Sequence, residues 1–222
     1  MISDHTQSAG LPSWAAPFSF LQCNDMPVTV VKSPPKMDYN KLVKDCLKNK
    51  PEAQRLLYEH FSEIMLGVCY RYTKSIKDAE DILQEGFVKV FFGLRQYRNE
   101  GELGAWIRRI MVTTALNYLK RNRNYRDQMY FPSEHLHPVI NEDASTILQG
   151  KEIAELIRQL PPGYQTIFNL HAIEGYSHVE IGELLGITDG TSRSQYARAR
   201  GLLISWIQNY SVDKKKENYG GK

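Results

Sequence analysis

The amino-acid sequence predicts an all-α protein made of two small helical domains joined by a flexible linker. Three observations carry that expectation. Apolar residues recur at three- and four-residue spacing from Asp38 to Arg126, and a second helical pattern runs from about Lys151 to Asn209. Between them, residues 131–150 hold Pro132 and Pro138, three acids and no Lys or Arg, which suits a linker.

Residues 1–36 carry four formal charges, five prolines and no helical or alternating pattern. Pro17-Phe18-Ser19-Phe20-Leu21-Gln22-Cys23 faintly resembles a signal peptide. However, no basic segment precedes it, the apolar run is short, and Gln22 before Cys23 suits no lipoprotein cleavage. A disordered arm, or a start codon placed upstream of Met37, is the expectation for this stretch.

Asp78 is expected to cap a helix over 78–95, with Glu80 and Asp81 in the first turn where the helix dipole favours anions. Behind it, Ala79, Ile82, Leu83, Phe87, Val90, Phe91 and Leu94 form a core-facing stripe. A turn at Arg98-Asn99-Glu100-Gly101 precedes a helix from about Leu103 to Arg121. The second helical unit is interrupted at Pro161-Pro162-Gly163 and at Glu174-Gly175-Tyr176. A basic tail over 209–222, with Lys214-Lys215-Lys216, is expected to be a solvated end.

Formal net charge is only +3, from 28 Lys+Arg against 25 Asp+Glu, but it is sorted along the chain. Residues 37–130 carry 17 cations against 12 acids, and residues 151–212 carry 5 against 6. No run of eighteen uncharged apolar residues offers a membrane span. Cys23, Cys46 and Cys69 stand singly, which argues against a disulfide framework or zinc finger and fits a reducing cytoplasm. The chain contains no GxxxxGK[ST], HExxH or GxSxG motif, so no catalytic residue, metal or cofactor is expected. His135 and His137 flank Leu136 in the acidic stretch, a pattern too sparse for a metal site. His171 and His178 are expected to be satisfied structural or surface histidines.

The most specific signal runs from Ser177 to Thr191. Ser177 with Glu180 makes a capping box, Gly186 permits a sharp turn, Ile187 can plug the space between helices, and Thr188 caps a second helix. On that second helix Ser192, Tyr196, Ala199 and Leu203 share one face, and Arg193, Ser194, Ala197 and Arg198 project on the other side. No acid occurs between Gly190 and Gln208. Major-groove entry needs such a helix, because Arg bonds guanine edges bidentately and short side chains let the backbone approach.

A second constellation surrounds Trp106. From Gly104 to Arg126 there are six cations and no acid, and Trp106, Arg109, Thr113, Asn117 and Lys120 fall in one narrow arc. The inner face is expected to be Ile107, Met111, Thr114 and Tyr118. An aromatic ring, amide and hydroxyl groups, and cations on one stripe suit unstacked single-stranded bases. Tyr97 and Arg98 can wall a pocket for a flipped base. The exposed face of the preceding helix, holding Asp81, Gln84, Glu85 and Lys89, offers complementary charge to a protein partner.

These residues resemble a family. Asp78-Ala79-Glu80-Asp81-Ile82-Leu83-Gln84-Glu85, then Ala105-Trp106-Ile107-Arg108-Arg109-Ile110 with Asn117-Tyr118-Leu119, then Leu185-Gly186-Ile187 with Gly190-Thr191-Ser192-Arg193-Ser194 are similar to bacterial sigma factors of the extracytoplasmic-function (ECF) branch. The resemblance covers about residues 38–208. It implies a sigma-two-like domain over 37–126, a linker over 127–149 that enters the polymerase cleft, and a sigma-four-like domain over 150–208.

By that resemblance Asp81, Gln84, Glu85 and Lys89 bind the clamp coiled coil of core RNA polymerase. Tyr97, Arg98, Trp106, Arg109, Thr113, Asn117 and Lys120 hold the melted non-template strand of the minus-ten element. Arg193, Ser194, Gln195, Ala197 and Arg198 read duplex DNA at the minus-thirty-five element, while that domain sits on the polymerase flap. An anti-sigma factor, often membrane-anchored, is the further partner implied. Two positions depart from the family's habit, which commonly has Asn where Thr113 stands and often Val at Ser192. The implied function is a non-catalytic, dissociable specificity subunit. The alternative is a stand-alone helix-turn-helix regulator. It needs only residues 150–208, whose near-neutral charge suits autonomous binding poorly.

Overall fold

Asp38 opens the first helix, α1 (Tyr39–Leu47), by accepting a hydrogen bond from the Lys41 backbone N–H at 3.1 Å. The structure is a computed structural model describing residues 37–98, 100–121 and 150–219, with side chains left aside at 150–151 and 209–219. The expectations for residues 1–36, for the linker and for His135 and His137 lie outside the described residues. The chain separates into Met1–Met37 and Asp38–Lys222, and every helix below belongs to the second unit.

Pro51 starts α2 (Pro51–Tyr70) at a position whose N–H has no helical partner anyway. Ser75, not Asp78, caps α3 (Ile76–Gly93): its hydroxyl accepts from the Lys77 N–H at 3.2 Å. Asp78 instead lies in the first turn, where the dipole still favours it. Ala79, Ile82, Leu83, Phe87, Val90 and Leu94 are buried as the spacing predicts, whereas Phe91 is half-buried. A 3-10 turn (Leu94–Gln96) leads to α4 (Leu103–Arg121). Ile107, Met111 and Ala115 of α4 are fully buried against α2 and α3. At Gly86 the Met111 side chain packs directly onto α3, where a Cβ would overlap its sulfur.

The second bundle comprises α5 (Gly150–Gln159), α6 (Pro162–Phe168) with a wider π turn over Asn169–Ile173, α7 (His178–Leu185) and α8 (Asp189–Tyr219). Ile157, Leu160, Tyr164, Ala199, Leu202 and Leu203 form its core, with Phe168 and Trp206 packed around them. Helix α8 continues ten residues past the expected end near Asn209, because no Pro or Gly interrupts 202–219. The protein is thus all-α, with no helix among the described residues long and apolar enough to cross a membrane.

Candidate nucleic-acid interface

Helix α4 carries its polar stripe opposite the buried one. Arg109, Thr113, Asn117 and Lys120 are exposed and Trp106 is half-buried, so the five residues of the arc are brought onto one surface. The indole packs over Gly93, where a Cβ would lie in ordinary contact at 3.4 Å from Trp106 Cζ2. Tyr97 approaches from the preceding loop, its ring centroid 5.4 Å from that of Trp106 at 47°. The Tyr97 hydroxyl donates to the Gly101 carbonyl at 2.5 Å, closing the loop beside the aromatic pair, and Arg98 stands exposed at its rim. Two aromatic faces and a ring of cations can stack an unpaired base and hold its phosphate.

Thr113 donates its hydroxyl to the Arg109 carbonyl at 2.9 Å. Its proton is therefore engaged within the helix, and it presents only acceptor capacity outward, unlike an Asn amide. Lys120 donates to the Leu184 carbonyl of α7 at 2.7 Å, a contact that reaches the second bundle.

In the second bundle the turn chemistry follows the sequence closely. The Ser177–Glu180 capping box is formed, Gly186 takes the left-handed conformation at φ 72°, and the Thr191 N–H donates to the Thr188 hydroxyl at 3.0 Å. Arg193, Ser194, Ala197 and Arg198 are exposed along α8, with Arg193 only loosely paired to Asp189 at 3.4 Å. Gln195 is the correction. It is 8% exposed, on the side of the helix that buries Ala199 and Leu202, and so does not stand on the presented face.

Ser192 is fully buried, and its hydroxyl meets His178 Nδ1 at 2.9 Å. The departure from an apolar residue there is thus matched by an imidazole partner. His178 in turn stacks on His171 at 4.1 Å between centroids, and His171 Nδ1 lies 2.8 Å from the Tyr176 carbonyl. Tyr196 closes the cluster edge-on to His171. Burial, followed by the His171 and Arg193 charges, holds His178 below the ordinary imidazole value of 6.5, with Asp189 opposing.

The unfolded chain therefore takes up this proton at a higher pH than the folded one. Stability should be unaffected by His178 well above 6.5 and should fall as pH drops through that value toward the lowered folded one. Urea unfolding between pH 7.5 and 5 checks this. The His178→Gln chain should show a shallower fall, and identical slopes would remove His178 as the cause.

On α3, Asp81 and Gln84 are exposed while Glu85 and Lys89 are half-buried. Glu85 accepts from Lys89 at 2.7 Å and from Arg121 at 2.6 Å, and Lys89 also donates to the Thr114 hydroxyl at 3.2 Å. Those cations, Lys89 first, hold the Glu85 carboxyl below its usual range. This face is therefore a small ordered charge network flanked by the exposed side chains of Asp81 and Gln84.

One cluster escaped the sequence reading. Glu174, expected only as part of a turn, has a side chain only 4% exposed, which meets Arg71 at 2.9 Å and Arg108 at 2.6 Å. The partners lie 103 and 66 positions away, and no local pattern signals such a pairing.

The chain resembles known proteins over both helical bundles. Residues 57–125 match the family model for sigma-70 region 2, and residues 150–203 match that for sigma-70 region 4. The chain is 31% identical over 179 residues to the ECF RNA polymerase sigma-E factor of Haemophilus influenzae, covering 75% of this chain and 94% of that protein. It is 26% identical over 185 residues to the ECF RNA polymerase sigma factor SigW of Bacillus subtilis, covering 78% and 99% respectively. Among solved structures, the sigma factor RpoE in complex with the anti-sigma factor NepR from Bartonella quintana aligns at 19% identity and a TM-score of 0.42, covering 67% of this chain and 92% of that one. With both sigma regions matched in order and relatives aligned over nearly their full length, the chain belongs to the ECF branch of the sigma-70 family of RNA polymerase sigma factors.

Proposed function

We propose that the chain acts in the cytoplasm as a dissociable, non-catalytic subunit of RNA polymerase, with each described face assigned to one step of initiation. The α3 face, Asp81, Gln84, Glu85 and Lys89, docks on the clamp coiled coil of the core enzyme. Tyr97, Arg98, Trp106, Arg109, Thr113, Asn117 and Lys120 capture the melted non-template strand at the minus-ten element. Arg193, Ser194, Ala197 and Arg198 read the minus-thirty-five duplex, and Gln195 sets the seating of α8 from its inner side. An anti-sigma factor would compete for these faces.

The observation that carries this reading is the pairing of two cation-bearing surfaces in one chain. One is built around a half-buried tryptophan and the other on a helix-turn-helix. Aromatic stacking suits single strands, and a cationic helix suits the major groove. A promoter-opening factor needs both, whereas a stand-alone duplex binder needs only the second.

Transcription in vitro with purified core polymerase and a candidate promoter is the decisive test. A promoter-specific transcript that depends on this chain is expected. Absence of both transcript and core binding would reject the assignment, and tight duplex binding without polymerase would favour the stand-alone regulator. Within that assay Arg198→Ala should cost about 1–3 kcal/mol at the upstream element if its guanidinium bonds base edges. A uniform loss on all upstream sequences would instead mark Arg198 as a phosphate contact.

A further inference from the structure

Helix α1 turns a row of lysines away from the core. At 100° per residue, Lys41, Lys44 and Lys48 fall within about 60° of arc, opposite the buried Leu42, Val43 and Cys46. All three lysines are exposed, and among the described residues none of them has an ion-pair partner. The one acid of the helix, Asp45, borders the row but is bonded to Lys50 at 2.8 Å. Asp38, at the helix start, is engaged with the Lys41 backbone N–H. A merely solvated face usually intersperses both signs, whereas this arc carries cations alone.

The packing of α1 gives that row a direction. The helix lies on the 3-10 turn Leu94–Gln96, whose Arg95 is exposed and which leads straight to Tyr97 and Arg98 of the aromatic pocket. At the start of α1, the Tyr39 ring lies 6.0 Å from that of Phe61 between centroids, and its hydroxyl is 3.0 Å from His60 Nε2. Phe61 in turn sits against Gly104, where a Cβ would lie 3.2 Å from its ring, and Trp106 follows two residues later. The row therefore begins beside the N-terminal end of α4. The opposite end of α4, at Arg121, leads toward the second bundle.

That polarity orders the strand. With the second bundle on the upstream element, the Lys120 end of α4 faces upstream and the Trp106 end faces downstream. A strand leaving the pocket downstream then passes the exposed Arg98 and Arg95 and arrives at α1. Glu100 and Glu102, also exposed in the loop, repel phosphate there and leave the arginines as the cationic route. Aromatic rings hold bases, whereas a line of cations tracks the backbone whatever its sequence.

We propose that Lys41, Lys44 and Lys48, reached by way of Arg95 and Arg98, bind the phosphates of the melted non-template strand downstream of the captured base. This rests on the promoter-reading assignment above. It adds a sequence-independent site on a helix to which that assignment gives no role, and it makes the open complex more persistent at low salt.

The test measures binding of the holoenzyme to forked probes made from a promoter on which the chain supports a specific transcript. In one probe the non-template strand stops at the minus-ten element, and in the other it continues through the start site. The parent chain should bind the longer probe more tightly, with a steeper salt dependence. Each single-strand phosphate contact contributes about 0.7 to the slope of log affinity against log salt, so the Lys41→Gln, Lys44→Gln, Lys48→Gln chain should lose about 2 on the longer probe. That loss corresponds to about 20-fold in the affinity change between about 50 and 200 mM salt. Binding of the shorter probe should be unchanged, which also shows that the variant is folded. Replacing the same three lysines by arginine should preserve the slope, since the charge remains.

Equal slopes for parent and glutamine chain on the longer probe would overturn the site and mark the row as solvated. An equal loss on both probes would also overturn it, because the cations would then act upstream of the melted extension. A loss of affinity for core polymerase without DNA would assign the row to protein docking instead. If the parent holoenzyme binds neither probe, the promoter-reading assignment falls and this site falls with it. Tight parent binding with an unaffected glutamine chain removes the site alone.

Discussion

Trp106→Ala should leave recruitment to promoter-bearing polymerase nearly intact and sharply reduce strand opening. The side chain is half-buried, not part of the core; Ile107, Met111 and Ala115 hold α4 in place, so truncation should spare the fold. The lost element is a stacking platform 5.4 Å from the Tyr97 ring. Aromatic–base stacking contributes about 1–3 kcal/mol per base, so opening should fall by about 5- to 150-fold. Permanganate reactivity of thymines in the melted region reads that step directly, while gel shift of the closed complex reads recruitment. Trp106→Tyr should recover part of the loss, since a smaller ring still stacks. Wild-type footprints in a folded Trp106→Ala chain would assign the indole to packing on Gly93 alone.

What the sequence made legible was local. A capping box, a left-handed glycine and a threonine cap are set by residues within four positions of one another, and all three formed at Ser177, Gly186 and Thr188. Spacing likewise located the buried stripe of α3. Local competition misplaced the cap of that helix, because Ser75 and Asp78 can each accept from a first-turn N–H and the upstream residue won. Gln195 was readable in principle. It lies seven residues, or two turns, before the buried Leu202 and so shares its face, but its polar side chain suggested the opposite surface. The Arg71–Glu174–Arg108 cluster was not readable at all, since it exists only once two bundles meet. The site surfaces follow the same division. The stripe on α4 could be drawn from helical geometry, whereas the engagement of Lys120 with Leu184 and of Glu85 with Arg121 required the fold.

Gly182→Ala should unmake the helix-turn-helix while leaving the first bundle standing. A Cβ on Gly182 would lie 2.8 Å from the Ile187 carbonyl oxygen and 3.6 Å from the Asp189 nitrogen. Backbone atoms cannot rotate away as a flexible side chain can. The turn is also fixed from the other side, because the Gly182 carbonyl accepts from the Gly186 N–H at 2.8 Å and the Ile187 N–H at 3.1 Å. Forcing an atom into such a site costs about 1–3 kcal/mol, and for a bundle of this size each kcal/mol lowers Tm by about 4–8 °C. Gly67→Ala supplies the contrast. It adds the same methyl group in the interior of α2 with nothing within 4 Å, and should stabilise by about 0.5–1 kcal/mol. Calorimetry of the two variants should therefore move in opposite directions. The Gly182→Ala chain should still bind core polymerase through α3, yet lose transcription most at promoters that depend on their upstream element. Equal melting of both variants would mean that the turn yields more readily than its paired hydrogen bonds indicate.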